Sequence, residues 1–291
     1  IGNSQTYKQT QDMLRSYDRK LDQRLFSDID LRYVRGFDMF LQKRGCCGNT
    51  RKFYFKALRA ILNRANAEGV GSVATYPFGR GGFEVSKLEE ATAKRYLPAA
   101  KLSKLKSSTA SNPQCEYARK LFLFSYYCYG ISFIDMAMLT AAHIKQMEDG
   151  DYIVYKRQKI KRQKGVKPIS IKITPAIRQL IGSLQAASPT VDDFLLPIVT
   201  RSGYTGERLY MHIRTRYSKY QKYLRLLAEE LGIDFHLTSY VSRHTAAMTL
   251  QRNNIPREVI SQMLGHADLE TTNIYLDSFD NRVINEAAKV L

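Results

Sequence analysis

Apolar residues recur at helical spacing through the first 68 residues, and this pattern predicts three helices. The first covers residues 4–21, the second follows Ser27 and Asp28, and the third begins after Asn49. The apolar positions of the third helix are Phe53, Phe55, Leu58, Ile61 and Leu62. We expect them to pack as the core of a small helical domain.

Residues 69–90 break this periodicity with repeated glycines and with Pro77. Such residues are typical of loops and linkers, because they favour turns over regular elements. We therefore expect a helical domain over residues 1–85, a linker over 86–96 and a second domain over 97–291.

The second domain alternates between two periodicities. Residues 114–139 predict two apolar helices with a turn at Gly130 between them. Period-two alternation then predicts a hairpin with strands over 152–159 and 168–174, joined by a basic loop over 161–167. Helical patterns resume over 175–186 and 207–231, so the chain as a whole is mainly α with a small β-hairpin.

The last part of the chain carries the most informative polar residues. Ser239 is expected to cap a helix over 240–252, and Asn254 a second helix that ends before Gly265. A third helix is expected to carry Tyr275. Because a helix N-terminus offers free N–H groups, the start of the first of these helices is a favourable place for an anion.

Three residues of this region suit the chemistry of a phosphodiester. Arg243 can grip two phosphate oxygens, and His266 can donate a further hydrogen bond. The hydroxyl of Tyr275 can attack phosphorus and form a covalent phosphotyrosine.

The net charge points to the same class of partner. Lys and Arg total 45 against 27 acidic residues, which gives a charge of +18 at pH 7. This excess favours a polyanion, most simply nucleic acid, although a merely basic protein is the alternative. An apolar content of 44% excludes general disorder.

The sequence says less about the protein's cellular compartment and about the ends of its chain. Cys46, Cys47, Cys115 and Cys128 lack a metal-type spacing, so we expect reduced thiols, no metal and a cytoplasmic protein. No apolar run is long enough for a membrane span. The start at Ile1 lacks both Met and a signal peptide, which is consistent with a fragment.

These motifs resemble the tyrosine recombinase family, the phage and transposon integrases. The matching residues are Arg-His-Thr from Arg243, Leu-Gly-His ending at His266, and Tyr275 nine residues later. The resemblance implies a helical, SAM-like core-binding domain over 1–85 and an α+β catalytic domain over 97–291.

The chain departs from the family pattern at two positions. Tyr240 occupies the place of the usual first His, and Ser132 that of the usual first catalytic Arg, in Gly130-Ile131-Ser132. Tyr240 can hydrogen-bond a phosphate oxygen; the alternative is that it only packs and orients Arg243. Asp135 matches the acidic residue that supports the family's site.

The hairpin is expected to supply two further site residues. The resemblance implies a catalytic Lys there, and Lys159 is our choice, with Lys161 and Lys164 as alternatives. Arg157 lies two residues before Lys159, so in a strand both side chains would share one face. We hypothesise that Arg157 replaces the missing Arg; the alternative is an ordinary contact to the DNA backbone.

The remaining basic residues are expected to bind DNA. Besides the hairpin, basic helical faces favour phosphate contacts, with an ordinary solvated face as the alternative. The candidates are Arg51, Lys52, Lys56, Lys161, Arg162, Lys164 and Arg214.

The resemblance implies site-specific recombination of duplex DNA through a 3′-phosphotyrosine, without cofactor or metal. It also implies a homotetramer on DNA, joined through the C-terminal tail, and leaves room for accessory DNA-bending proteins. Packing of that tail on its own domain is the alternative. Two other functions stay open: DNA relaxation like that of type IB topoisomerases, and DNA binding without catalysis.

Overall fold

The computed structural model describes residues 2–90, 95–161, 163–266, 272 and 276. The chain divides into two compact units, Ile1–Ala93 and Lys94–Leu291. The segment predicted as a linker spans this division. Packing of the first unit continues beyond residue 85, because the Glu90 carboxylate accepts the N–H of Gly48 at 2.9 Å.

The first unit is built from three α-helices. They are α1 (Gly2–Tyr17), α2 (Leu31–Lys43) and α3 (Gly48–Ala67). The predicted first helix is too long at its C-terminal end, because the Asp18 carboxylate accepts the N–H of Lys20 at 2.9 Å and opens a turn.

Aromatic side chains form the core of this unit. Phe37 of α2 and Phe55 of α3 are fully buried, and their ring centroids lie 5.5 Å apart in an edge-to-face arrangement. Leu58 and Leu62 are also buried, as predicted, whereas Phe53 is exposed.

Seven α-helices belong to the described part of the second unit. They are α4 (Ala99–Ser107), α5 (Pro113–Tyr127), α6 (Phe133–Ala137), α7 (Pro175–Ala187), α8 (Gly206–Glu230), α9 (Ser239–Arg252) and α10 (Arg257–Leu264). Helix α5 packs against α7, α8 and α9, and buries Leu121, Phe122 and Phe124 completely. Within the described residues, no helix has the length and apolar character required to cross a membrane.

Three antiparallel strands form a small sheet in the order β1 (Ile144–Met147), β2 (Gly150–Tyr155) and β3 (Ile169–Lys172). Strand β1 was missed in the sequence pattern. The prediction that β2 reaches residue 159 is wrong: Tyr155 pairs with Ile169, where β3 begins, so no strand partner continues beyond it.

The ends of α9 and α10 differ in how well they were predicted. The N-cap of α9 is Thr238, one residue before the predicted Ser239. Gly265 ends α10 in the left-handed conformation, as predicted, with φ of 64°. A Cβ on Gly265 would lie 2.4 Å from Cδ1 of Ile169, so glycine also permits the close approach of α10 to β3. The predicted helix around Tyr275 and the C-terminal tail lie outside the described residues, except for Thr272 and Leu276.

Candidate active site

Arg243 is held inside the second unit by main-chain acceptors. Its side chain lies on the buried face of α9, and the residue is 4% exposed. Nη1 donates to the carbonyl of Gly130 at 3.2 Å, and Nη2 donates to the carbonyl of Leu264. These bonds fix the guanidinium plane from two separate segments. We call Arg243, His266 and these two carbonyls the Arg243 corner.

Gly130 provides the space into which Arg243 packs. It has φ of +72°, which glycine tolerates best, and it follows the end of α5. A Cβ at this position would lie 2.4 Å from Cα and 2.5 Å from Cβ of Arg243. A glycine is therefore needed here for two reasons, backbone conformation and contact.

Burial makes Arg243 an unusual cation. It lowers the pKa of Arg243 to about 10, and the positive charge of Arg157 acts in the same direction. The guanidinium is still charged at neutral pH, because that value lies well above 7. A charge that is poorly hydrated and already oriented is well suited to bind an incoming anion.

His266 completes the corner through one defined tautomer. Its Nε2 lies 2.8 Å from Nη2 of Arg243, and its Nδ1 lies 2.7 Å from Oγ1 of Thr272. Arginine can only donate, so Nε2 accepts and the ring proton of a neutral imidazole is on Nδ1. To donate to a phosphate oxygen, as predicted, Nε2 must first gain a proton.

Tyr275, the predicted nucleophile, lies outside the described residues. Two residues near it in sequence are described and packed against the corner and its helices. Thr272 is fully buried beside His266, and Leu276 is buried in a cluster with Met248 of α9 and Ile260 of α10.

Tyr240 lies in the first turn of α9, three residues before Arg243, as predicted from their spacing. The residue is 54% exposed, and its ring meets that of His244 edge-on at 5.2 Å. The turn itself is less open to an anion than expected, because Oε1 of Gln221 accepts the N–H of Ser239 at 2.9 Å. Gln221 lies in α8 and carried no signal in the sequence.

Ser132 occupies the family's arginine position and forms the N-cap of α6. Its hydroxyl donates to Oδ2 of Asp135 at 2.6 Å, and Oδ1 of Asp135 accepts the N–H of Gln158 at 2.7 Å. Asp135 is only 4% exposed, so its carboxylate links the start of α6 to the segment after β2 inside the protein. The sequence identified Asp135 but not this connection.

Arg157 and Lys159 lie in the β2–β3 loop, residues 156–168, and not in a strand as predicted. The N–H of Ile160 donates to the carbonyl of Arg157 at 3.1 Å, which closes a turn. The argument that both side chains share one strand face is therefore wrong. Nη1 of Arg157 donates to the carbonyl of Gly265 at 3.3 Å, next to His266, whereas Lys159 is exposed.

A cavity of about 390 Å³ opens beside the Arg243 corner. Arg157, Arg214 and Arg243 all contribute to its lining, together with Ser132 and Tyr240. Three arginines from three different elements thus contribute to the lining of one space. That arrangement can bind a phosphate and stabilise charge that develops on it.

The other predicted DNA-binding residues fall into two groups. Arg51 forms an ion pair with Asp38 at 2.9 Å, and Lys52 pairs with Glu89 at 2.6 Å. Both cations therefore already have carboxylate partners. The exposed candidates are Lys56, Lys161, Lys164 and Arg214, while Arg162 lies outside the described residues.

Two family models match this chain. Residues 95–282 match the phage integrase family, and residues 1–84 match the phage integrase SAM-like domain. Tyrosine recombinase XerD of Brucella abortus is 30% identical over 119 residues, which are 40% of this chain and 35% of that protein. XerD of Halalkalibacterium halodurans is 43% identical over 54 residues, 19% of this chain and 18% of that protein. The chain therefore spans well under half the length of these curated relatives.

Solved structures share the fold over nearly the whole chain. The Tn1549 transposon integrase in complex with transposon right end DNA has a TM-score of 0.66 at 12% identity, covering 99% of this chain and 98% of that one. XerH recombinase bound to difH substrate has a TM-score of 0.64 at 17% identity, covering 98% and 78%. The expected fold class, mainly α with a small antiparallel sheet, is confirmed. The chain belongs to the phage integrase family.

Proposed function

We propose that this protein is a site-specific tyrosine recombinase, which cleaves and rejoins duplex DNA through a 3′-phosphotyrosine intermediate. The Arg243 corner is the observation that carries this proposal. It holds a buried, oriented guanidinium against the imidazole of His266, and Arg243 lines a cavity to which Arg157 and Arg214 also contribute. The names of similar proteins, tyrosine recombinase XerD and XerH site-specific recombinase among them, support the same activity.

The proposed cleavage step is an in-line displacement at phosphorus. The Tyr275 oxygen forms a bond to phosphorus while the bond to the 5′ oxygen breaks. Arg243 and His266 stabilise charge on the non-bridging oxygens, and Lys159 donates a proton to the leaving 5′ oxygen. A 5′ hydroxyl of another strand then attacks the phosphotyrosine, which reverses the step and releases Tyr275.

The proton of the attacking phenol needs an acceptor. Tyr240 is unsuited to that task, since a phenol keeps its own proton at neutral pH. Nε2 of His266 carries the lone pair that can take this proton once Nη2 of Arg243 transfers its hydrogen bond from Nε2 to the phosphate. The protonated Nε2 then donates to a non-bridging oxygen. We therefore assign Tyr240 to contact and orientation.

Arg157 is proposed as the second guanidinium on the phosphate. Its anchor on the Gly265 carbonyl places it next to His266, and its charge is close enough to lower the pKa of Arg243. The link from Ser132 through Asp135 to Gln158 supports this placement, because it fixes the main chain beside Arg157.

The assembly follows from the requirements of strand exchange. Two duplexes and four cleavages require four protomers, so we propose a homotetramer on DNA joined through the tail after Tyr275. Accessory DNA-bending proteins and a cytoplasmic location belong to the same proposal. Exposed lysines of the β2–β3 loop and Lys56 would contact phosphates, with binding that weakens steeply as salt increases.

Covalent capture tests the function. Wild type and Tyr275→Phe are incubated with nicked duplexes of a sequence that the protein selects from a random library. We expect a protein–DNA adduct with wild type only. Tight binding with no adduct would support the DNA-binding alternative. If wild type formed the adduct and relaxed supercoiled DNA but never joined a strand to a new partner, the topoisomerase alternative would be supported.

A further inference from the structure

The cavity beside the Arg243 corner is lined by both basic and aromatic residues. The basic residues are Arg157, Arg214 and Arg243. The aromatic residues, which we call the aromatic wall, are Phe133, Tyr210, Tyr217 and Tyr240, and isoleucine side chains accompany them. A phosphate suits the arginines, whereas aromatic and aliphatic side chains suit a flat, largely apolar ring.

The aromatic wall is open to solvent and held in place. Tyr240 is 54% exposed and Tyr217 is 36% exposed. The Tyr217 ring packs against Phe133 with centroids 5.3 Å apart, and its hydroxyl lies 3.1 Å from both Oγ of Ser239 and Nε2 of Gln221. Exposed rings at fixed positions beside cations are the usual platform for stacking a nucleobase.

The size of the cavity limits which part of a DNA molecule can enter it. A volume of about 390 Å³ lies near the lower end of the range for sites that enclose a small organic ligand. A base pair within a duplex cannot enter such a space, whereas a single base attached to the bound phosphate can. Its ring would cover the aromatic wall while the phosphate stays on the guanidinium groups.

We propose that this cavity receives one unpaired base of the DNA strand whose phosphate Arg243 holds. The inference rests on the proposed function, because it assumes that Arg243 binds the scissile phosphate. Extruding a base costs stacking and pairing, and it costs least where the base is mismatched or unpaired. The protein would therefore favour sites in which one base pair beside the cleavage point opens readily.

Abasic scanning tests this proposal on the Tyr275→Phe protein, which is expected to bind without cleaving. At each position of the selected duplex, either base is replaced in turn by an abasic analogue, and affinity is measured by fluorescence anisotropy. At one position we expect removal of the captured base to weaken binding about tenfold, and removal of its pairing partner to strengthen binding about tenfold. This opposite response distinguishes capture from an ordinary groove contact.

Variants in α8 supply the protein side of the test. Tyr210→Ala is expected to abolish the opposite response, and Tyr210→Phe to retain it because stacking uses the ring. Met211→Ala is the matched control, since Met211 is an exposed neighbour in α8 that does not line the cavity. The DNA substitutions alone decide the matter if Tyr210→Ala unfolds.

Two outcomes would overturn base capture. One is a response of the same sign for both bases at every position, which would leave the cavity to solvent or to the protein's own C-terminal segment. The other is an opposite response that survives in a folded Tyr210→Ala protein. Covalent capture with wild type is scored separately, so an adduct without the opposite response rejects only this inference, and the reverse result rejects only the cleavage chemistry.

Discussion

The Arg243 corner and the β2–β3 loop supply cations to one proposed phosphate site, but they hold them differently. Arg243 is buried, and carbonyl oxygens from two segments orient its guanidinium. Lys159, Lys161 and Lys164 are exposed, and none has a side-chain hydrogen bond or ion pair to another residue that the structure describes. The corner is thus set before DNA binds, while the lysines are free to take positions that DNA imposes.

This difference matches the timing of the chemistry. Hydrogen-bond donors that stabilise developing charge act best when they are already oriented, because no free energy is then spent on reorienting them during the reaction. A general acid has to reach its acceptor only after the leaving oxygen is in place. We therefore expect the cleavage rate to fall when atoms of the Arg243 corner are displaced slightly. In the β2–β3 loop, we expect the rate to depend on the identity of a single side chain.

The largest effect is expected at Lys159. Lys159→Ala should slow cleavage by about 10³-fold, within the usual range for loss of a general acid. A substrate with sulfur in place of the bridging 5′ oxygen should restore the rate, because a thiolate leaves without a proton. Single-turnover cleavage of both substrates is the measurement.

Lys161→Ala and Lys164→Ala are the matched controls, from the same exposed loop. Rescue by sulfur in one of these two variants would move the acid to that residue. If the sulfur substrate rescued none of the three variants, the β2–β3 loop would not supply the general acid. The proposed division of roles between the loop and the Arg243 corner would then be wrong.

Gly130→Ala tests whether cleavage depends on the exact position of Arg243. The added methyl would press on Cα and Cβ of Arg243, so we expect cleavage to fall by about 10²–10³-fold, as for loss of an oriented donor. The melting temperature should fall as well. Gly203→Ala is the control: Gly203 has φ of +71°, but a Cβ there would have no neighbouring atom within 4 Å, so only backbone strain of about 1–2 kcal/mol applies. Equal losses in both variants would contradict the role of the contact.

Arg157 lies between the two regions, in the loop but anchored to Gly265. Arg157→Ala should reduce single-turnover cleavage by about 10²-fold at saturating DNA. Adding Ser132→Arg to that variant should restore part of the rate, since an arginine then stands at the family's usual position. Arg214→Ala, from the same cavity, should weaken binding and leave the saturated rate nearly unchanged. An unaltered rate in Arg157→Ala would reduce Arg157 to a backbone contact.

The smallest effect is expected at Thr272. Thr272→Val removes the acceptor of the His266 Nδ1 proton, which should lower the cleavage rate by about tenfold, as is typical when a functional histidine loses its second partner. Thr272→Ser should behave like wild type. The pH dependence of the rate should change in the Val variant only, and an identical profile in all three proteins would refute a tautomer role.

Much of the fold could be predicted from periodicity. The apolar spacing of α3 and α5, and the glycine at the end of α10, each reflect a local preference that the native packing also satisfies. Strand β1 escaped because it is short and largely exposed, with no alternation. The length of β2 depends on where β3 begins, which is a property of the pairing and not of either segment alone.

The site was predictable only as a set of residue types. Motif spacing singled out Arg243 and His266 as candidates, and the structure brings their side chains within 2.8 Å of each other. The ion pairs of Arg51 and Lys52, and the link from Ser132 to Gln158, join residues far apart in sequence or depend on side-chain direction. No pattern in a single sequence encodes such pairings.

The acceptors that orient both arginines belong to the peptide backbone, at Gly130, Leu264 and Gly265. A carbonyl oxygen is present whatever the side chain, so replacements at Leu264 act on the guanidinium only through packing, and apolar residues that fill its fully buried place should be tolerated. The two glycines are the exceptions, because there the substituent itself collides with Arg243 or Ile169. A saturation screen should therefore show a sharply uneven profile, with the glycines as intolerant as the arginines they support.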